Sequence, residues 1–252
     1  MDTTRSGQPK YLQIAAELRR SIAAGDYAPD TRLPGENELM ATHHVARETA
    51  RKALAQLINE GLAVPRRGAG VFVRSFRPII RDGIHRLSAT TWPAGKSIWG
   101  EETEGRDLAV DRVEILDEDA PSHVALLLGL SEQERVITCS RRYVLDGKPV
   151  LKSSSYLPAK LVAGSPITTP DTGPGGTYAR LRDLGQQPTR FREDLRARMP
   201  EPGETIELGL TAGTPVVEIV RTAYTDDGQA VEVSEMIADA GAYVFRYDFT
   251  TT

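Results

Sequence analysis

The chain has 252 residues, 40% hydrophobic and 26% charged, which excludes a wholly disordered protein and is enough for two domains of ordinary size. Its longest apolar run, Val124 to Leu128, is too short for a membrane span, and its first residues lack the apolar segment of a signal peptide. One cysteine, Cys139, and four scattered histidines exclude an internal disulfide and a clustered metal site. We therefore expect a cytoplasmic protein without membrane contact, cofactor or metal.

The net charge of −4 is divided unevenly along the chain. Residues 1–75 carry 11 Lys and Arg against 8 Asp and Glu, whereas the remaining residues carry 20 against 27. A mildly basic first module joined to an acidic body directs attention to nucleic acid as a partner. The position of the cations then matters more than their sum.

Periodicity in the first module predicts three helices and a hairpin. Apolar residues recur at helical spacing over 11–22, 36–42 and 47–60, and two short strands, 62–64 and 71–73, follow. A tight turn joins the second helix to the third, and a basic glycine-rich turn joins the strands. This order of elements predicts a winged helix-turn-helix.

The start of the third helix carries residues suited to reading DNA. Arg47 and Arg51 are four residues apart and share one helical face, with Thr49 between them near the leading end. A helix in the major groove reads base edges with its first residues, and the arginine fork matches O6 and N7 of guanine. Taken alone, the two arginines favour the simpler interpretation of solvated surface charges balanced by Glu48, since pairs of surface arginines on a helix are common.

The hairpin turn adds a second basic element. Arg66 and Arg67 precede Gly68, and glycine allows the backbone to approach a duplex closely. An arginine in such a turn enters the minor groove or pairs with phosphate. By themselves these are also ordinary solvated turn residues, so the prediction of DNA binding depends on the helix and the hairpin occurring together.

We assign residues 1–75 to the first domain, 76–106 to a linker and 107–252 to a second domain. The linker segment contains several prolines and glycines and shows little periodicity. It also holds Trp92 and Trp99, which we expect to pack against a neighbouring surface because an exposed tryptophan is costly.

The second domain is predicted to be α+β with a largely antiparallel sheet. Asp146-Gly147 and Asp227-Gly228 are strong hairpin signals between alternating segments. The predicted strands cover 110–116, 135–145, 149–157, 191–199, 216–224, 230–238 and 242–249, and the predicted helices cover 120–128, 177–184 and 203–210.

A glycine-rich loop, 173–176, opens onto the predicted helix at Thr177 and is a candidate anion site. Backbone N–H groups at a helix start attract phosphate or carboxylate. Arg141 or Arg142 on a strand could add positive charge, and Glu232 could accept hydrogen bonds from ligand hydroxyls or amines.

Alternation along a strand sends Arg141 and Arg142 to opposite faces, so at most one of them points into such a site. An alternative interpretation makes the loop a plain crossing connection and pairs Glu232 with Arg221 structurally.

Five stretches of the first module form a recognisable pattern: YLQI at 11–14, LPGENEL at 33–39, VARETARKAL at 45–54, GLAV at 61–64 and GAGVFV at 68–73. On these stretches, residues 9–73 resemble the DNA-binding domain of the GntR family of bacterial transcription regulators. The resemblance implies that Arg47 and Arg51 read bases or phosphates, that Glu36 and Asn37 approach the backbone, and that Arg67-Gly68 enters the minor groove.

The first module departs from the family pattern at three positions. Gly35 stands where the family usually has Ser or Ala, Asn37 where it often has Arg, and Ala46 where it has Ser or Thr. Ala46 cannot supply the side-chain oxygen of an N-cap, a loss of roughly 0.5–2 kcal/mol.

The second domain contains a further set of motifs, chiefly RRY at 141–143, DGKPV at 146–150, DTGPGGTY at 171–178, GTPV at 213–216, RTAY at 221–224 and VEV at 231–233. With these motifs, residues 107–249 resemble the UTRA ligand-sensing domain of the HutC-like branch, whose fold is similar to chorismate lyase. The resemblance implies an effector pocket lined by Arg141, Arg142, Thr177, Tyr178 and Glu232.

Together these features predict a sequence-specific DNA-binding regulator, most simply a repressor released from its operator by an anionic small-molecule effector. A homodimer with two-fold symmetry implies an inverted-repeat operator on double-stranded DNA, within the nucleoid. Two alternatives stay open: a constitutive DNA-binding protein without a functional pocket, and an enzyme, since the second domain resembles a lyase fold. No nucleophile–histidine pair or metal cluster is evident, so we assign no catalytic residue.

Overall fold

The computed structural model describes residues 8–75, 78–87, 103, 105–131 and 133–249. These residues form two compact units. The first contains the described residues up to 75 together with Leu210–Thr214, and the second contains the other described residues from 78 onward. No helix in the described part of the chain has the length and apolar character needed to cross a bilayer. Trp92 and Trp99 lie outside the described residues.

The first unit consists of three helices and a two-stranded hairpin: α1 (Lys10–Ala24), α2 (Glu36–His43), α3 (Arg47–Asn59), β1 (Ala63–Arg66) and β2 (Gly70–Val73). The predicted helix order is confirmed. The two hairpin strands extend into the predicted turn: Arg66 and Gly70 are the last paired residues before the turn.

Local backbone chemistry explains where these helices end. α1 stops at Gly25, whose φ of +86° is the left-handed conformation that glycine adopts without steric cost. α2 stops at His44, also left-handed, which turns the chain sharply into α3. The apolar faces of the helices meet in one core formed by Ile14, Ala15, Leu18, Leu33, Leu39, Ala50, Ala53, Leu54, Leu57, Ala63 and Val73.

The second unit is built on a six-stranded antiparallel sheet in the order β4-β5-β6-β9-β8-β7. The predicted hairpins at Asp146-Gly147 and Asp227-Gly228 connect β5 to β6 and β8 to β9. The strand bounds are β4 (Leu108–Asp119), β5 (Arg135–Leu145), β6 (Lys148–Pro158), β7 (Arg190–Arg198), β8 (Val216–Tyr224) and β9 (Ala230–Asp239). The mixed α+β class and the antiparallel sheet are as predicted.

Among the described residues, four helices accompany the sheet: α4 (Ser122–Leu128), α5 (Ala159–Val162), α6 (Gly176–Asp183) and α7 (Pro202–Leu208). α5 and a 3-10 turn at Pro166–Thr168 were not predicted, because each is a single turn and too short to show periodicity.

The prediction that 76–106 is an irregular linker is wrong for part of that segment. β3 (Ile79–Asp82) pairs in parallel with β10 (Tyr243–Arg246), and a 3-10 turn follows at His85–Leu87. Ile79 and Tyr243 are buried in the same apolar cluster of the second unit. The pairing partner lies near the end of the chain, so local sequence patterns do not reveal it.

Candidate functional site

The arginines at the start of α3 form an outward ridge. The side chains of Arg47 and Arg51 are 65% and 64% exposed. The opposite face of the same helix is buried in the core through Ala50, Ala53 and Leu57. The helix therefore presents its cationic side to solvent, where a duplex can reach it.

Side-chain contacts join the start of α3 to the start of α2. Arg47 Nη2 donates to Asn37 Oδ1 at 3.0 Å, and its Nε lies 3.5 Å from Glu36 Oε2. Arg51 pairs with Glu48 on its own helix. The residues predicted to approach DNA from α2 and α3 are thus brought together on one surface, with Thr49 half-buried beside them.

The wing presents its two arginines differently. Arg66 forms an ion pair with Asp30 at 2.5 Å and lies 4.2 Å over the ring of Phe72. Arg67 is exposed and has no ion pair within the described residues. The backbone at Gly68 has a φ of +73°, which lets the turn fold back without a side chain in the way.

A cavity of about 470 Å³ lies on one face of the six-stranded sheet. Its rim is the loop from Pro170 to Gly176, and its floor is formed by side chains of the central strands. Arg141, which lies on a central strand, connects the floor to the rim, because its Nη2 donates a hydrogen bond to the carbonyl of Pro170 at 3.3 Å. The lining includes Arg141, Thr177, Tyr178, Glu232, Cys139, Tyr143, Ser153, Ser155 and Arg221.

Arg142 lies on the opposite face of the sheet and does not line this cavity. It pairs with Asp111, with its Nε 2.8 Å from Oδ1, and its Nη1 donates to the carbonyl of Glu207 at 3.0 Å. Strand alternation separates Arg141 and Arg142 in this way, so the structure gives Arg142 a position outside the predicted pocket.

Glu232 is buried in the floor of the cavity. Its Oε2 accepts a hydrogen bond from the Tyr178 hydroxyl at 2.6 Å, and the side chain is only 2% exposed. Burial, reinforced by the nearby Glu232, raises the pKa of Tyr178 well above its ordinary value. The phenol therefore stays protonated and acts as a donor, which leaves oxygen lone pairs of Glu232 available for a ligand.

Arg221 is a buried cation in the cavity wall whose hydrogen bonds are incomplete. It is 6% exposed, and its Nε and Nη1 have no hydrogen-bond partner within the described residues. The guanidinium lies 5.4 Å from the ring centroid of Tyr178, and Nη1 is 3.9 Å from Glu193 Oε1. The structural pairing with Glu232 is not seen, since no ion pair within 4.0 Å joins the two.

A buried ion pair between Arg81 and Glu193 lies next to Arg221. Arg81 on β3 donates two hydrogen bonds to Glu193 on β7, one of them 2.9 Å long. Their side chains are 1% and 7% exposed. Burial alone would raise the pKa of Glu193, but Arg81, with Arg221 and Arg86 nearby, lowers it below the ordinary value. The carboxylate is held charged among buried arginines.

Comparison with known proteins identifies both units. Residues 10–73 match the family model of bacterial regulatory proteins, gntR family, and residues 103–243 match the UTRA domain. The chain is 32% identical to the uncharacterised HTH-type transcriptional regulator SCO4628 of Streptomyces coelicolor, over 96% of this chain and 93% of that protein. This chain belongs to the GntR family.

Other GntR-family proteins match over nearly the whole chain. The HTH-type transcriptional repressor NagR of Bacillus subtilis is 27% identical over 94% of this chain and 93% of its own. The crystal structure of PhnF from Mycobacterium smegmatis aligns with a TM-score of 0.59 at 26% identity, covering 95% of this chain and all of that one. The protein is accordingly a DNA-binding transcriptional regulator with a ligand-binding UTRA domain.

Sequence reasoning about this GntR-family chain missed several lining residues. Arg221 was considered only as a structural partner of Glu232, and Cys139, Tyr143 and Ser153 were not considered. Cys139 and Tyr143 alternate with Arg141 on β5, and Ser153 pairs with Arg141 across the β5–β6 hairpin, so the register of that hairpin could have placed these residues on one face. Arg221 joins that face only through the pairing of β6 with β9, which is not a hairpin and has no local signal. Among the described residues, no three His, Cys, Asp or Glu side chains group as metal ligands.

Proposed function

We propose that this protein is a repressor that binds an inverted-repeat operator as a homodimer and releases it when a small anionic, hydroxyl-bearing effector fills the UTRA cavity. The observation that carries the effector half is Arg221, a buried guanidinium with unsatisfied N–H groups in the wall of a cavity. A buried unpaired donor is costly, and a ligand acceptor would remove that cost.

The cavity offers two chemically different ends. Arg141 and the backbone of Gly173–Gly176 form the cationic rim, which suits a phosphate or carboxylate. Arg221 in the wall and Glu232 in the floor form the inner end, where a ligand hydroxyl can accept from the guanidinium and donate to the carboxylate. A volume of about 470 Å³ fits a small polar metabolite with both kinds of group.

Dimer formation is part of this proposal, because one α3 covers a single operator half-site. The second unit exposes apolar side chains that a partner copy could cover: Leu126 on α4 is 82% exposed and Ile206 on α7 is 81% exposed. Release then requires only that the effector bind the state of low DNA affinity more tightly than the other.

The chemistry of the cavity argues against an enzyme. Burial raises the pKa of the Cys139 thiol, so it is a poor nucleophile, and Tyr178 stays protonated as described above. No histidine lines the described cavity. Binding without turnover, in a cytoplasmic regulator, is the function that these groups support.

Footprinting on the DNA that flanks its own gene, combined with thermal-shift screening of anionic metabolites, tests the proposal. We expect a protected inverted repeat and at least one stabilising ligand, since a ligand at 100 times its Kd contributes about 2.7 kcal/mol. Protection without two-fold symmetry would contradict the dimer. A constitutive DNA-binding protein would give the footprint but no ligand.

Glu232→Gln should lower the affinity for the effector identified in that screen by about tenfold or more. The change keeps side-chain size but removes the charge that accepts from the ligand, and hydrogen bonds to charged groups contribute about 1.5–3 kcal/mol. Calorimetric titration measures the loss. Glu235→Gln is the matched control: Glu235 lies on the same strand but pairs with His123 and does not line the cavity, so its variant should bind the effector normally.

Arg67→Ala should flatten the salt dependence of operator binding. Arg67 has no ion pair to break among the described residues, so its contact with phosphate would release a counterion and add about 0.9 per protomer to the log–log slope. Fluorescence anisotropy titrations between about 50 and 200 mM salt measure this slope. An unchanged slope would remove the wing from the phosphate contacts.

A further inference from the structure

We propose that Arg32, which precedes α2, makes a direct contact with a backbone phosphate of the operator. The proposal rests on the proposed function, since it presupposes that operator DNA lies across α3 and the wing. Arg32 lies outside the helix-turn-helix and the wing turn, which contain all the DNA-binding residues predicted from the sequence. It is not one of those predicted residues.

The backbone of Arg32 is anchored to the wing. Arg32 forms an isolated β-bridge with Phe72 on β2, and the next residue, Leu33, donates from its N–H to the carbonyl of Val71 at 2.8 Å. Leu33 is fully buried in the core of the first unit. The base of the side chain is therefore fixed, which lowers the entropy lost when the guanidinium binds a phosphate.

Two glycines make room for the guanidinium between the wing and α2. A Cβ built on Gly70 would lie 3.0 Å from Arg32 Nε, and one built on Gly35 would lie 3.2 Å from Nη2. Both separations are tighter than ordinary van der Waals contact. Side chains at these positions would crowd Arg32, so the two glycines allow it to lie against the start of α2.

This position faces the predicted DNA-binding residues. Arg32 lines a cleft of about 460 Å³ together with Asn37, Glu36 and Arg47, the same residues that join α2 to α3. Glu38 also borders the cleft, but its Oε2 accepts from the backbone N–H of Gly35. The cleft therefore lies beside the exposed ridge of α3, where a phosphate of a bound duplex would pass.

The electrostatic state of Arg32 distinguishes it from most arginines of this surface. Arg47, Arg51 and Arg66 each face a carboxylate of the chain itself, at Glu36, Glu48 and Asp30 respectively. Arg32 is exposed and has no hydrogen bond or ion pair from its side chain within the described residues. It can bind a phosphate without breaking an existing pair, so its charge is fully available to DNA.

The test compares salt dependence of operator binding for the wild type, Arg32→Gln, Arg32→Lys and Arg20→Gln. Arg20→Gln is the matched control, because Arg20 is also exposed and has no ion pair in the described part of the chain, but it lies on α1 outside the cleft. Anisotropy titrations use the full chain and the footprinted operator fragment. Thermal unfolding of each variant shows whether the fold is intact.

We expect Arg32→Gln to lower operator affinity by about tenfold per protomer and the slope of log K against log salt by about 0.9 per protomer. Arg32→Lys should retain the slope, since it keeps the charge, and Arg20→Gln should match the wild type. A wild-type slope in a folded Arg32→Gln variant overturns the inference while the proposed function stands. Equal loss in Arg20→Gln overturns it too, because the effect is then one of net charge. Failure of the wild type to bind any fragment overturns the proposed function instead.

Discussion

Glu193→Ala should lower the free energy of unfolding of the second unit by about 3–5 kcal/mol. The change removes the carboxylate between Arg81 and Arg221, both of which are buried. Arg81 would then lie in a low-dielectric interior without its ion-pair partner, and Arg221 would lose one of the two carboxylates that stabilise its charge. Urea unfolding followed by circular dichroism measures the loss.

Asp194→Ala is the control for this prediction. Asp194 is the next residue on β7 and pairs with Arg192, but both side chains are more than half exposed. Exposed pairs contribute about 0–1 kcal/mol because solvent screens them. Equal destabilisation by the two variants would mean that the buried pair has no special role.

The same carboxylate makes stability depend on pH. The pKa of Glu193 is lowered in the folded state from an ordinary value of 4.5, so its contribution is complete above that pH. It is lost as the pH falls from there through the lowered pKa. Glu193→Gln should be less stable than the wild type at neutral pH and should lose less stability on acidification below about pH 4.5.

Arg47→Ala should weaken operator binding by about 1–3 kcal/mol and relax base preference at one position of each half-site. Arg47 lies on the outward ridge of α3, and its hydrogen bond to Asn37 orients the guanidinium relative to α2. Arg47→Lys keeps the charge but lacks the planar fork, so it should recover affinity better than base preference.

Anisotropy titrations against the operator and single-base variants measure both effects. Arg20→Ala provides a comparison, since it removes an exposed arginine of α1 outside the cleft at Arg47. If Arg47→Ala bound every base variant with wild-type affinity, Arg47 would not read DNA.

Helices and hairpins of this protein are predictable because their signals are local. The core face of α3 repeats at helical spacing, and the Asp-Gly turns fix the register of β5 with β6 and of β8 with β9. β3 is only four residues long and pairs with β10 near the other end of the chain. Its strand conformation depends on tertiary packing, which local hydrophobic periodicity does not predict.

The sequence predicts which residues of one strand share a face of the sheet, because side chains alternate along a strand. Alternation alone separates Arg141 from Arg142, although only the structure shows which faces the cavity. The electrostatic surroundings of Arg221 on β8 include Tyr178, Glu232 and Glu193, which come from a helix and two other strands. No single stretch of sequence contains that arrangement. The position of the Arg32 side chain likewise depends on residues distant in sequence, because the glycines at 35 and 70 leave the space that it occupies.

The most direct test of the regulator is a titration of the footprinted operator with and without a saturating ligand from the thermal-shift screen. We expect the ligand to raise the operator Kd by about 5–150-fold, the range typical of coupling between sites. The Glu232→Gln variant should need correspondingly more ligand for the same effect. A ligand that occupies the cavity and leaves the operator Kd unchanged would contradict effector-controlled release from DNA.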